Sequence, residues 1–149
     1  MKRFVLLAVS VALVSILFCP MAKGAPAIPN DIQIAQPDPS LPKGLSAFLG
    51  KREGTDSNRV DHSYIIENIN EEKARAYFWW SCCPGPDTWQ KYEFTVIKEG
   101  PDKYTLVLHI APTPRLEPCG EMKLLLKGSD LINTCPGYMQ LTLRRATSW

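Results

Sequence analysis

The residues of this chain best suited to chemistry are its thiols, its imidazoles and one dense aromatic stretch. Cys82 and Cys83 are adjacent inside "YFWWSCCPGPDTW" (77–89), and Cys119 and Cys135 follow. Four thiolates could hold zinc. Structural zinc sites, however, space their cysteines in C-x-x-C pairs, and adjacent cysteines ligate one metal poorly. A thiol-exchange role meets the same objection, because the adjacent pair lacks the C-x-x-C arrangement of such enzymes. An even number of cysteines in an exported chain reads instead as two disulfides, and four cysteines allow three connectivities. A Cys82–Cys83 bridge would be vicinal and strained. The adjacent pair is therefore expected to reach out to Cys119 and Cys135, one bridge each, in either order. Each bridge would contribute about 2–4 kcal/mol by restricting the unfolded chain.

Other catalytic material is thin. His62 and His109 are the two histidines. Each falls inside an alternating segment, far in sequence from any obvious nucleophile, and reads as a satisfied structural histidine. Glu53 and Asp56 could pair as carboxylates, but "GTDSNR" reads more simply as a solvated turn. The chain carries no Gly-rich phosphate loop, no G-x-S-x-G and no H-E-x-x-H. The expectation is a protein that is not an enzyme and uses no metal or cofactor.

The N-terminus sets the compartment. Lys2 and Arg3 precede an apolar run from Phe4 to Phe18, and small residues stand at Ala22 and Gly24. This is the pattern of a secretory signal peptide over residues 1–24, cut after Gly24. The apolar run is too short and wrongly flanked for a membrane span. Cys19 does not suit a lipid attachment site, because bulky Phe18 precedes it and a proline follows. Lys2, Arg3 and Lys23 would leave with the signal, so 17 basic residues become 14 against 15 acidic ones. No basic stripe interleaved with aromatics remains, which excludes nucleic acid as the expected partner. The expected protein is secreted or periplasmic, a monomer, and not stably inserted in a membrane after cleavage.

The elements that would position these residues are strands. Residues 25–44 hold five prolines and no sustained apolar period, and read as a spacer or an arm lying over the domain. The domain occupies 45–149, and its apolar period is two. In "KYTLVLHIA", Tyr104, Leu106, Leu108 and Ile110 share a face; in "KYEFTVIKEG", Tyr92, Phe94 and Val96 do. In "EMKLLLKG" the apolar set is Met122, Leu124 and Leu126, and in "YMQLTLRR" it is Met139, Leu141 and Leu143. This is the alternation of strands with one buried face. Eight strands are predicted, at 45–54, 59–68, 73–81, 89–99, 103–111, 120–127, 130–135 and 138–145. The links "INEEK", "EGPD" and "KGSD" are tight hairpins. They alternate with "TDSN", "CCPGPDT", "PTPRLEP" and "PG", which would share the opposite rim. The fold class is therefore all-β: a single antiparallel eight-stranded up-and-down barrel, stapled by disulfides at one rim. A β-sandwich is the alternative.

Alternation also sorts the aromatics. In "ARAYFWWS", Ala74, Ala76, Phe78 and Trp80 share the crowded interior face, leaving Tyr77 and Trp79 outward. Trp80 and Trp89 would flank the rim loop, where amphipathic rings suit sugars or apolar ligands.

The stretch from "FLGKREG" through "ARAYFWW" to the closing "GYMQLTLRR" resembles small calycin-like (lipocalin-like) barrels of exported bacterial proteins over about residues 45–145. Those open on a Gly-x-Trp-x-Gly strand, carry an aromatic Ala-x-x-Tyr strand, and end on a strand reading roughly hydrophobic-Thr-Leu-Arg. This chain has Arg52 where that tryptophan would stand. The resemblance implies that an arginine of the last strand, Arg144 or Arg145, lies over that position. It implies the fold more than the function, because one fold hosts many functions.

Two functions compete. One is a binding module for a small apolar or sugar-like ligand, with a cavity lined by Tyr64, Ile66, Phe78, Trp80, Trp89, Phe94, Leu106 and Leu108. The other is an inhibitor or adaptor that meets a protein partner with proline-stiffened rim loops. Its working residues would be Pro84, Pro86, Asp87, Pro114, Arg115 and Glu117. A ligand-free structural accessory domain is the third reading.

Overall fold

Strands with one apolar face must bury that face, and eight of them do so here by curling into a cylinder. The computed structural model describes residues 25–81, 88–110, 120–136 and 140–147. The strands are β1 (Gly50–Thr55), β2 (Asp61–Ile69), β3 (Lys73–Trp80), β4 (Gln90–Gly100), β5 (Lys103–His109), β6 (Glu121–Lys127), β7 (Asp130–Thr134) and β8 (Leu141–Arg145). Each pairs antiparallel with its neighbours in chain order, and β1 meets β8 to close the barrel. Closure rules out the sandwich.

Three tight hairpins mark one end. In the β2–β3 link, Asn70 Oδ1 accepts the backbone N–H groups of Glu72 and Lys73 at 2.9 and 2.8 Å. The β4–β5 link turns through Asp102, and the β6–β7 link through Gly128 at φ 62°. This end is plugged. The strand expected at 45–54 begins only at Gly50, and before it lies a one-turn helix, α1 (Lys43–Ser46). Pro42 starts this helix with its φ fixed and no N–H to lose. Leu45 and Phe48, three residues apart, then point the same way and are fully buried in the barrel core. The Gly44 N–H donates to Asp102 Oδ1 at 2.6 Å. A Cβ at Gly44 would run into the Asp102 carbonyl, so glycine is what lets the plug sit against the turn.

Inside, the predicted alternation holds. Tyr64, Ile66, Ala74, Ala76, Phe78, Phe94, Val96, Tyr104, Leu106, Leu124, Leu131, Leu141 and Leu143 form one core. The register of β2 against β3 shifts between Ile66 and Asn68. That bulge lets Ile66 and Ile69 both reach the core and leaves Glu67 as the extra residue.

Residues 26–35 lie against the outer face of β2 and β3. Ile28, Ile32 and Ile34 pack on a second apolar cluster of Ile65, Trp79 and Trp89. The Ala35 N–H donates to the Glu67 carbonyl at 2.8 Å, and the Gln33 N–H to Glu67 Oε1 at 3.3 Å. Trp89 Nε1 donates to the Pro26 carbonyl at 3.3 Å. Of the two expectations for this segment, the contacts are those of an arm.

Candidate functional site

The inward face of the barrel is not uniform along its axis. Near the plugged end, Leu45, Phe48, Ile66, Phe94, Leu106, Leu124, Leu131 and Leu143 have no accessible surface. Midway, Tyr64 and Phe78 stack with ring centroids 3.8 Å apart and planes 11° from parallel. Phe78 meets Tyr92 at 5.0 Å and Phe94 at 5.6 Å. Beyond this aromatic layer, on the side away from the plug, Trp80, Tyr92, Leu108 and Met122 face inward but stay only partly buried. Ile69 and Leu126, beside the tight hairpins, are partly buried as well.

Polar groups stand beside these aromatics. Asp56 begins the β1–β2 loop, and its Oδ1 accepts the N–H groups of Asn58 and Val60 at 2.8 and 3.0 Å. Its Oδ2 lies 3.2 Å from His62 Nε2. Burial pushes the Asp56 carboxyl up, but the hydrogen bonds from Val60, His62 and Asn58 outweigh it, and the group stays below the usual carboxylate range. His62 in turn meets the Tyr64 ring edge-on at 6.4 Å. The pair sets a fixed acceptor and an imidazole beside the Tyr64 ring. Glu53, considered above as a partner for Asp56, is engaged elsewhere, with Lys51 at 2.7 Å and Ser63 at 3.3 Å.

Two further polar side chains lie deeper. Asn133 Nδ2 donates across the barrel to Tyr64 Oη at 2.6 Å, while its Oδ1 has no partner. Burial raises the Tyr64 pKa well above the ordinary phenol value. Arg52, at the position where the resemblance places a tryptophan, is 1% exposed. Its Nη2 donates to the Ala47 carbonyl at 2.7 Å, and Nε and Nη1 are buried without partners. Burial and then the Arg145 charge pull its pKa down to about 10, against the opposing pull of Asp130. Arg145 is opposite Arg52 in the β1–β8 register and donates to the same Ala47 carbonyl at 3.3 Å.

The predicted ligand-contact residues therefore divide. Trp80 and Leu108 are partly buried beyond the stacked Tyr64 and Phe78. Ile66, Phe94 and Leu106 are sealed in the core below. Trp89 is not at the mouth: it is buried on the outside of the barrel with Ile65 and Trp79. The parity of β4 carries that signal, since Tyr92 and Phe94 face in and Trp89 is an odd number of residues from both. The same parity places Tyr92 and Met122 inward, and His62 shares the face of Tyr64. His109 is exposed and 3.7 Å from Glu121.

The rim residues Pro84, Pro86, Asp87, Pro114, Arg115 and Glu117, with Cys82, Cys83 and Cys119, lie outside the described residues. Among the described residues no three His, Cys, Asp or Glu side chains gather as a metal site, and no helix is long and apolar enough to cross a membrane. Set against protein-family models, curated proteins and solved structures, the chain matches none of them.

Proposed function

We propose that this chain is an exported, non-enzymatic binding module of calycin-like architecture. It holds the apolar or sugar-like part of a small ligand in the open mouth of its barrel. The observation that carries this reading is the group of inward side chains above the Tyr64–Phe78 stack, Trp80, Tyr92, Leu108 and Met122, that are only partly buried. Trp80, Tyr92, Leu108 and Met122 offer apolar surface, and the His62–Asp56 pair offers hydrogen bonds at the edge, the usual composition of small-molecule sites. The ligand is shallow, seated above Tyr64 and Phe78 rather than among Phe94 and Leu106. Export is supported by the signal-like N-terminus and by the even number of cysteines that would remain after its removal.

The test is native mass spectrometry of the mature protein from its own host, oxidised and then reduced. Extra mass that leaves on denaturation, and that a Tyr92→Ala variant no longer carries, is the expected result. A bare chain, with no small molecule recovered from wild type, would turn the reading toward a protein partner met by the rim loops.

A further inference from the structure

The outer face of β2 and β3 carries chemistry that the mouth does not need. On a barrel with one apolar lining, outward positions are normally polar. Here Ile65, Trp79 and Trp89 point outward and are buried, with Ile28, Ile32 and Ile34 of the arm packed against them. The bulge at Glu67 adds a polar grip. Its carbonyl takes the Ala35 N–H, one carboxylate oxygen takes the Gln33 N–H, and the other is held by Arg75 Nη1 at 3.3 Å. Together these make a receptor for a peptide that turns between Pro29 and Ile32 and carries isoleucines at 28, 32 and 34.

That receptor is loosely filled. The arm adds no strand to the sheet. A groove of about 230 Å³ remains between Ile28, Ile32, Ile34 and Ile65. The arm joins the plug through "QPDPSLP" (36–42), where Asp38 and Ser40 form a local turn and Leu41 is anchored on the core. Three prolines stiffen this link.

We propose that the arm is exchangeable: in paired molecules, the arm of each copy occupies the β2–β3 outer face of the other. The occupant is a second copy of this chain because residues 26–35 are the peptide that this face already fits. The exchanged and unexchanged forms make the same contacts, so they differ mainly in effective concentration. For a tethered segment that is of millimolar order, and it falls when a stiff link does not match its span. Exchange therefore grows with protein concentration, and it does not depend on the mouth being a ligand site.

The experiment uses the full mature chain carrying Ile28→p-benzoylphenylalanine, mixed in equal parts as unlabelled and uniformly ¹⁵N-labelled protein. After irradiation, crosslinked peptides joining the arm to the strands of Trp79 or Trp89 are weighed. A strap held within one molecule gives only pairs of matching isotope. An exchanged arm gives mixed light–heavy pairs, expected to rise as protein is taken from about 10 µM to about 1 mM, the range that brackets the tethered concentration. Ile32→p-benzoylphenylalanine repeats the measurement from a second position. Matching pairs alone at every concentration, or no crosslink to this face from either position, overturns the proposal.

Discussion

Replacing Arg52 with methionine should leave the barrel as stable as wild type or more stable. The guanidinium is 1% exposed, makes one hydrogen bond with the Ala47 carbonyl, and leaves Nε and Nη1 buried and unpaired. Removing the bond forfeits about 1.5–3 kcal/mol, the usual contribution when one partner is charged. Removing two unsatisfied buried donors recovers about 1–3 kcal/mol each. The Ala47 carbonyl is not orphaned, because Arg145 Nη2 also points at it from 3.3 Å. The balance runs from near zero to a few kcal/mol in favour of methionine, in line with the roughly 1–4 kcal/mol gained when buried charged groups give way to apolar residues of similar volume. Arg52→Ala is the control: it removes the charge and also the packing, and should cost about 2–5 kcal/mol through the cavity left behind. Urea unfolding at neutral pH, followed by tryptophan fluorescence with disulfides oxidised, measures both. If Arg52→Met lowers the midpoint by the equivalent of more than about 1 kcal/mol at unchanged slope, the guanidinium is a net stabiliser and the reasoning fails.

Tyr64→Phe should cost about 1–3 kcal/mol, because it strands the Asn133 amide that donates to Tyr64 Oη at 2.6 Å; in urea, adding Asn133→Leu should restore most of the loss. Asp56 is held below its ordinary pKa in the fold, so the unfolded chain binds its proton first as pH falls. The stability it contributes is complete above the unfolded value of 3.8 and is lost as pH drops through the lower folded one. The gap between wild type and Asp56→Asn in thermal unfolding should accordingly close in acid, and a gap that widened there would count against this account. Gly54→Ala should weaken the β1–β8 seam, since a Cβ there meets the Thr142 carbonyl; about 1–3 kcal/mol of overpacking strain should appear as faster amide exchange in β8.

Most of the scaffold was legible because its strands obey a single rule. Where apolar residues alternate between turn signals, as in Tyr104–Leu106–Leu108, burial follows parity. The plug was not legible as helix, because "LSAFL" is too short for period two and period three to be told apart. Pro42 followed by Leu45 and Phe48 was the available clue. Trp89 was placed at the mouth by nearness in sequence to the loop, although parity pointed outward. Arg52 was visible as a departure from the calycin pattern. The resemblance put Arg144 or Arg145 beside it, and the register chooses Arg145; its full burial could not be read, because alternation alone assigns a charged residue to the outside. The arm was ambiguous for a different reason: prolines forbid strand pairing but do not forbid packing, and only the outward Ile65 and Trp79 reveal that something must cover them.

The seam between β1 and β8 has a consequence for how the molecule comes into being. It rests on two register pairs, Arg52 with Arg145 and Glu53 with Arg144, drawn from opposite ends of the domain. A chain emerging N-terminus first therefore carries an open sheet with two raw edges until its final strand is delivered, and loop closure over nearly the whole domain comes last. A premature stop before Leu141 would leave not a shorter barrel but a curled sheet whose edges solicit other strands. Whatever holds back the last few residues, whether a pore, a chaperone or a stalled ribosome, holds back the whole fold.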